Sequence, residues 1–293
     1  MKSGNIFFSE RPTLRKPDMV AAYLGWPDAA QVATGAVSYL INKLHATKFA
    51  EIKSDEYYDF ATVRPSVNIA SGLIQPLRMP VNGFYYWQNL TGERDLIIQT
   101  GIEPQLRWQS YIEAVVDLAG YYNVHRIYAA GGLFDRIPHT RETHISGLTN
   151  DQTLLAEMEK ANIEAMDYQG PSSIHGLLLN VCSERSISAL SIWGHVPFYI
   201  RAESNPMVCL EIVRKITELL GIGVDLDELR KASDNLFEML NKLISENPQM
   251  SAFLKAIEEQ YDLEGSSANT ELEGADQVIK DIEDFLRNQR YNG

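Results

Sequence analysis

The sequence predicts an α/β fold with a mostly parallel sheet covered on both faces, followed by a helical extension at the C-terminal end. Three observations lead there. Apolar runs of strand length alternate with segments of helical period from Met19 to Leu220. From Asp225 onward only the helical period remains. The 45% hydrophobic content of 293 residues is enough for one full core plus an appendage. This predicts a core over 1–224, a helical extension over 225–264, a linker over 265–275, and a C-terminal amphipathic helix and tail over 276–293.

The elements follow in order. Met19 to Leu24 is a short apolar run ending at Gly25, read as a strand. Asp28 to His45 places Ala29, Val32, Ala36, Tyr39, Leu40 and Leu44 at helical spacing, with Asp28 where a carboxylate can cap the first-turn N–H groups. Phe49 to Lys53, Val67 to Ile74 and Val81 to Gln88 are β-rich pieces separated by Pro65, Pro76, Pro80 and Gly83. Alternation then resumes with Arg94–Gln99 and Val124–Ala130 as strands, and Gln105–Tyr121 and Asn150–Ala161 as helices. Ser172–Ser183 as helix, Ile187–Trp193 as strand and Pro206–Leu220 as helix complete the pattern. Past Asp225, Leu226, Leu229, Leu236, Leu240, Leu243 and Ile244 form one stripe that Pro248 ends, and a second helix runs from Gln249 to about Tyr261. Gly265, Ser266, Ser267, Ala268 and Asn269 have the composition of a mobile linker. Beyond it, Val278, Ile282, Phe285 and Leu286 stripe a helix from Asp276 to Gln289, which can pack on its own subunit, on a neighbour or in a partner's groove.

Charge narrows the function classes. The net charge is −13, and residues 225–293 carry sixteen carboxylates against seven cations. So acidic a chain repels phosphate backbones and anionic lipid heads, which argues against nucleic acid and membrane surfaces as partners. Cys182 and Cys209 lie in apolar surroundings without CxxC or Cys/His spacing, so buried reduced thiols in the cytoplasm are expected, with no metal and no cofactor. No export signal or membrane-spanning apolar run is visible. Nucleotide-loop, dinucleotide, nucleophile-elbow and HExxH signatures are missing, which weakens the enzyme reading.

In a parallel sheet the strand-to-helix loops emerge at one edge, where ligands of open α/β folds bind. Those loops are Gly25 to Asp28, Gly101 to Pro104, Gly131-Gly132 through Arg141, and Gly194 to Phe198. If they meet, Trp26, Asp28, Glu103, Asp135, His139, Arg141 and His195 line one rim. In the functional reading Arg141 holds an acid or phosphate and the histidines act as bases. In the structural reading Arg141 pairs with Glu103 or Asp135 to lock loops, and the histidines are framework residues.

The strings Gly25-Trp26-Pro27-Asp28-Ala29-Ala30, Arg64-Pro65, Gly101-Ile102-Glu103-Pro104 with Arg107-Trp108, and Pro138-His139-Thr140-Arg141 resemble, in order and spacing, the bacterial and archaeal branch of the PAC2 (proteasome assembly chaperone 2-like) family. Gly170-Pro171, Ser191-Ile192-Trp193, Val196-Pro197-Phe198-Tyr199, Asn205-Pro206 and Asp284-Phe285-Leu286-Arg287 resemble its second half. The resemblance adds Arg64 to the candidate rim. It implies a three-layer α/β/α sandwich of phosphorylase/hydrolase type, closed homo-oligomers with a trimer favoured, and kinship with chaperones of proteasome assembly. It names no catalytic residue. A cytoplasmic, homo-oligomeric, assembly-chaperone-like protein, with proteasome subunits or another complex as partner, is therefore expected. The alternative is a small-molecule-binding enzyme, a hydrolase or nucleoside-type transferase, working around Glu103, His139 and Arg141. Two departures stand out: Phe198 occupies a position often held by His, and the chain ends Gln289-Arg290-Tyr291-Asn292-Gly293, without a hydrophobic residue before the tyrosine.

Overall fold

A nine-stranded mixed sheet forms the centre of the computed structural model, which describes residues 6–53, 55–264 and 275–291. Its strands are β1 (Ile6–Phe8), β2 (Asp18–Leu24), β3 (Thr47–Ile52), β6 (Asn82–Trp87), β7 (Leu96–Ile102), β8 (Arg126–Asp135), β9 (Ile145–Thr149), β10 (Glu164–Ala165) and β11 (Ser188–Pro197). The order across the sheet is β1-β3-β6-β7-β2-β8-β11-β9-β10. The inner strands β7, β2, β8 and β11 are mutually parallel, whereas β6 joins β7 and β9 joins β11 in antiparallel fashion. The remaining strands, β4 (Ile69–Ala70) and β5 (Leu73–Ile74), form a separate hairpin.

The period-2 alternation of the inner strands feeds two cores. Met19, Ala21 and Tyr23 of β2 face α2 (Trp108–Tyr121) and α4 (Ile174–Glu184). Val20 and Ala22 face α1 (Val32–Lys43), α3 (Gln152–Lys160) and α5 (Pro206–Leu220). Helices therefore cover both faces, the sandwich that the alternation predicts. Helix α5 occupies the predicted span because its ends are specified locally. The Asn205 side chain accepts from the Met207 and Val208 N–H groups, Pro206 opens the helix, and Gly221 closes it at φ 63°. Cys182 and Cys209 are buried in opposite cores, and burial pushes both thiols up to about 12.

A third core lies beyond the sheet edge. Tyr199 and Ile200 pack against α6 (Asp227–Ser245), α7 (Pro248–Glu264) and α8 (Ala275–Tyr291). Val278 and Ile282 of α8 are buried there, so the stripe of the last helix is covered within its own chain. The linker expected over 265–275 falls, apart from its last residue, outside the described residues, as does the end of the tail. Among the described residues no helix is long and apolar enough to cross a membrane.

Three readings need correction. Gly131-Gly132 and Gly194 to Pro197 are strand, because β8 and β11 extend each other's ladder as far as Asp135 and Pro197. Strand β9 is absent from the sequence prediction: Ser146 and Gly147 at its centre have weak strand preference, and pairing with β11 over Leu190 to Gly194 supplies what propensity lacks. Strand β10, two residues on the far edge, is likewise created by pairing.

Candidate functional site

The predicted rim residues separate into three groups. Asp28 and Trp26 sit at the carboxyl end of β2. The Asp28 carboxylate accepts from the Ala33 N–H at 2.8 Å, from the Thr34 N–H at 3.3 Å and from the Thr34 hydroxyl, so it does the work of a cap for α1. Burial pushes its pKa up to about 6, the hydrogen bonds opposing that shift. Glu103 stands beside this turn: Gly25 takes φ +141°, and a Cβ there would meet the Glu103 Cβ at 3.2 Å. The Glu103 carboxylate accepts from the Ile174 N–H at 2.9 Å at the start of α4, and burial raises its pKa. Both acids thus hold helix starts.

Asp135 and His195 form the second group, with a residue that sequence reading missed. His195 Nδ1 lies 2.7 Å from Asp135 Oδ2, and its Nε2 lies 2.7 Å from Ser146 Oγ. A carboxylate only accepts, so Nδ1 carries the proton and Nε2 is free to accept from the serine hydroxyl. This is a nucleophile–base–orienter chain in distance and order. His144 packs edge-on against His195, ring centroids 4.2 Å apart, and burial lowers its pKa. Ser146, however, is only 4% exposed as part of β9, not raised on a strand-to-helix turn.

His139 and Arg141 belong to neither group. The buried His139 donates its backbone N–H to the Tyr199 hydroxyl at 2.7 Å, and its Nδ1 lies 2.7 Å from the same oxygen. Burial lowers its pKa, holding it neutral. Arg141 pairs with Asp262 through two bonds of 3.0 and 2.8 Å and reaches Glu258 at 3.3 Å. The loop-locking alternative named the wrong acids: the partners lie on α7, not at Glu103 or Asp135. Arg64 is exposed on the segment before β4.

A cavity of about 660 Å³ opens at the carboxyl ends of β2 and β8, within the size range of small-molecule sites. Trp26 and Asp28 line it, with Phe134, Tyr168, His175 and Trp193. His175 opens α4 and contacts Ser191 Oγ through Nδ1 at 2.9 Å; full burial pushes its pKa down to about 3, so the ring is neutral. Gly131 makes room for Trp193, since a Cβ there would stand 2.8 Å from the indole. The strand period was the available signal: Ser191, Trp193 and His195 share one face of β11, while Leu190, Ile192 and Val196 face the other core. Among the described residues no group of three His, Cys, Asp or Glu side chains is placed to hold a metal.

Comparison with known proteins agrees with this architecture. Two solved structures align along nearly their whole length. A PAC2 family protein from Streptomyces avermitilis shares 29% identity at TM-score 0.74, covering 81% of this chain and 99% of that one. A proteasome-assembly chaperone homologue from Mycobacterium tuberculosis shares 26% at TM-score 0.74, covering 80% and 99%. An archaeal proteasome activator from Pyrococcus furiosus has the same fold at 23% identity and TM-score 0.64, covering 83% and 99%. Among curated proteins none matches. The model of the PAC2 family matches residues 22–244, a span holding the end of β2, the cavity and the Asp135–His195–Ser146 chain, and the protein belongs to the PAC2 family.

Proposed function

We propose that this chain is a self-associating, protein-binding assembly factor of the cytoplasm, whose partners are proteasome subunits or a complex assembled in the same manner. Family membership supports the role, and one observation carries the self-association. The β4–β5 hairpin turns through Ser71 and Gly72, at φ 53° and 79°, the two positive values of a tight hairpin turn. The Ser66–Arg78 bridge extends it into an arm. On this arm Ile69, Leu73 and Ile74 are 62%, 70% and 69% exposed, flanked by the exposed Val67 and Leu77. An apolar cluster of that kind marks an interface in a soluble protein. Residues 64–81 hold Arg64 and Arg78 and no carboxylate, within a chain of net charge −13. A cationic apolar arm complements the acidic body of a second copy, which we take as its occupant.

Size-exclusion chromatography with light scattering tests this. The wild type is expected at a multiple of 33.0 kDa, and the Ile69→Asp/Leu73→Asp/Ile74→Asp variant at the monomer mass with an unchanged far-ultraviolet circular dichroism spectrum. The wild type, added to purified proteasome α-subunits, is expected to co-elute with them. A monomeric wild type sinks the self-association, and separate elution sinks the proteasome partnership.

A second reading, a hydrolase, is favoured by the Asp135–His195–Ser146 chain. It requires a fluorophosphonate probe to label Ser146 in the wild type and not in His195→Ala. No adduct by mass spectrometry would remove it.

A further inference from the structure

We propose that the cavity at the carboxyl ends of β2 and β8 binds a neutral, flat aromatic molecule carrying a carbonyl acceptor, held by the Trp193 indole N–H inside and stacked between Trp26 and Tyr168 at the mouth. Two buried groups ask for a ligand. Trp193 is 7% exposed and His175 1% exposed; both side chains line the cavity. Among the described residues neither Trp193 Nε1 nor His175 Nε2 has a hydrogen-bond partner. An unpaired buried N–H is costly, and an acceptor placed opposite it recovers that cost. An indole nitrogen only donates, so the ligand must bring the acceptor.

The walls fix the rest of the chemistry. Trp26 and Tyr168 are exposed aromatic faces on the lining, suited to stacking on a flat ring. No Lys or Arg is among the described residues lining the cavity. The start of α4 offers an anion little: Glu103 takes the Ile174 N–H, Ser173 Oγ takes that of His175, and the Ser173 carbonyl takes that of Gly176. A phosphate or carboxylate therefore finds no counter-charge. A cation suits the aromatic faces but leaves the Trp193 N–H unmatched, and the Asp28 carboxylate on the lining is committed to α1. A neutral ring with a carbonyl matches the Trp193 N–H and the aromatic walls at once.

Three probes of one shape and different charge test this: indole-3-acetamide, indole-3-acetate and tryptamine. The protein carries four tryptophans, so a sample labelled with 15N-tryptophan gives four side-chain N–H signals. The acetamide is expected to shift the Trp193 signal saturably at sub-millimolar concentration, and to bind at least about tenfold more tightly than tryptamine, which lacks the acceptor, and than the acetate, whose charge is desolvated without a partner. Trp193→Phe should weaken the acetamide about tenfold. Tyr168→Ala, at a side chain 63% exposed whose hydroxyl donates only to the nearby Pro171 carbonyl, should weaken it with little change in melting temperature and keeps the test valid should the Trp193 variant fold poorly. A Trp193 signal that stays put at millimolar acetamide overturns the proposal. So does equal binding of acetate or tryptamine.

Discussion

Asp28→Asn is expected to gain about 3 kcal/mol on the wild type between about pH 4 and pH 7, read as the difference between their unfolding free energies in urea. Burial pushes the Asp28 pKa from 3.8 to about 6 in the folded protein. The folded state therefore holds a proton that the unfolded chain releases across that window. The stabilisation from the raised pKa is complete below 3.8 and is lost as pH rises through about 6, so the wild type weakens with rising pH. The amide keeps an acceptor for the Ala33 N–H and does not titrate, so the Asn variant lacks this slope. Asp28→Ala should be less stable at every pH, because it strands the Ala33 and Thr34 N–H groups in the first turn of α1. Parallel pH profiles for wild type and Asn would show that Asp28 ionises as freely in the fold as out of it.

Tyr199→Ala is expected to cost about 4 kcal/mol, and Tyr199→Phe about 2 kcal/mol. The ring is 1% exposed, packs edge-on against Phe253 and His139, and anchors the third core, so its loss leaves a cavity where β11 meets the helical unit. Phenylalanine keeps that packing and removes only the oxygen shared by the His139 N–H and Nδ1. The gap between the two variants, measured by chemical denaturation, separates packing from hydrogen bonding. A negligible effect of Tyr199→Phe would free His139 from its framework role.

The alternation of strands and helices was legible because each inner strand is apolar on both faces and each covering helix has a clean stripe. Met19–Leu24 and Pro206–Leu220 are examples. Strand β9 was not legible, since Ser146-Gly147-Leu148 becomes strand only through partners more than forty residues later. The site suffered for it: with β9 unread, Ser146 could not be placed beside His195. The pairing of Asp135 with His195 was not legible either: both were read as loop residues, and in the ladder Asp135 stands opposite Pro197 while His195 stands opposite Leu133, so the contact runs diagonally between strands that extend further than their apolar runs suggest. The dispersal of His139 and Arg141 toward α7 did not, because their partners Tyr199, Glu258 and Asp262 are brought in by the third core and not by the sheet. Asp28 was the best-read residue of the rim, because a cap depends on the few residues after it and on little else.

The order of the sheet has a consequence for synthesis. Strand β2 is apolar on both faces and lies between β7 and β8. It leaves the ribosome early, yet Ala21 meets Gln99 and Ala129 only when those residues have emerged. At about 5–20 residues per second, the strand waits roughly 4–16 s with both edges open and roughly 5–22 s before the second can pair. The nascent chain is thus most vulnerable to misassociation at its own future centre, and slower elongation past residue 24 prolongs that exposure.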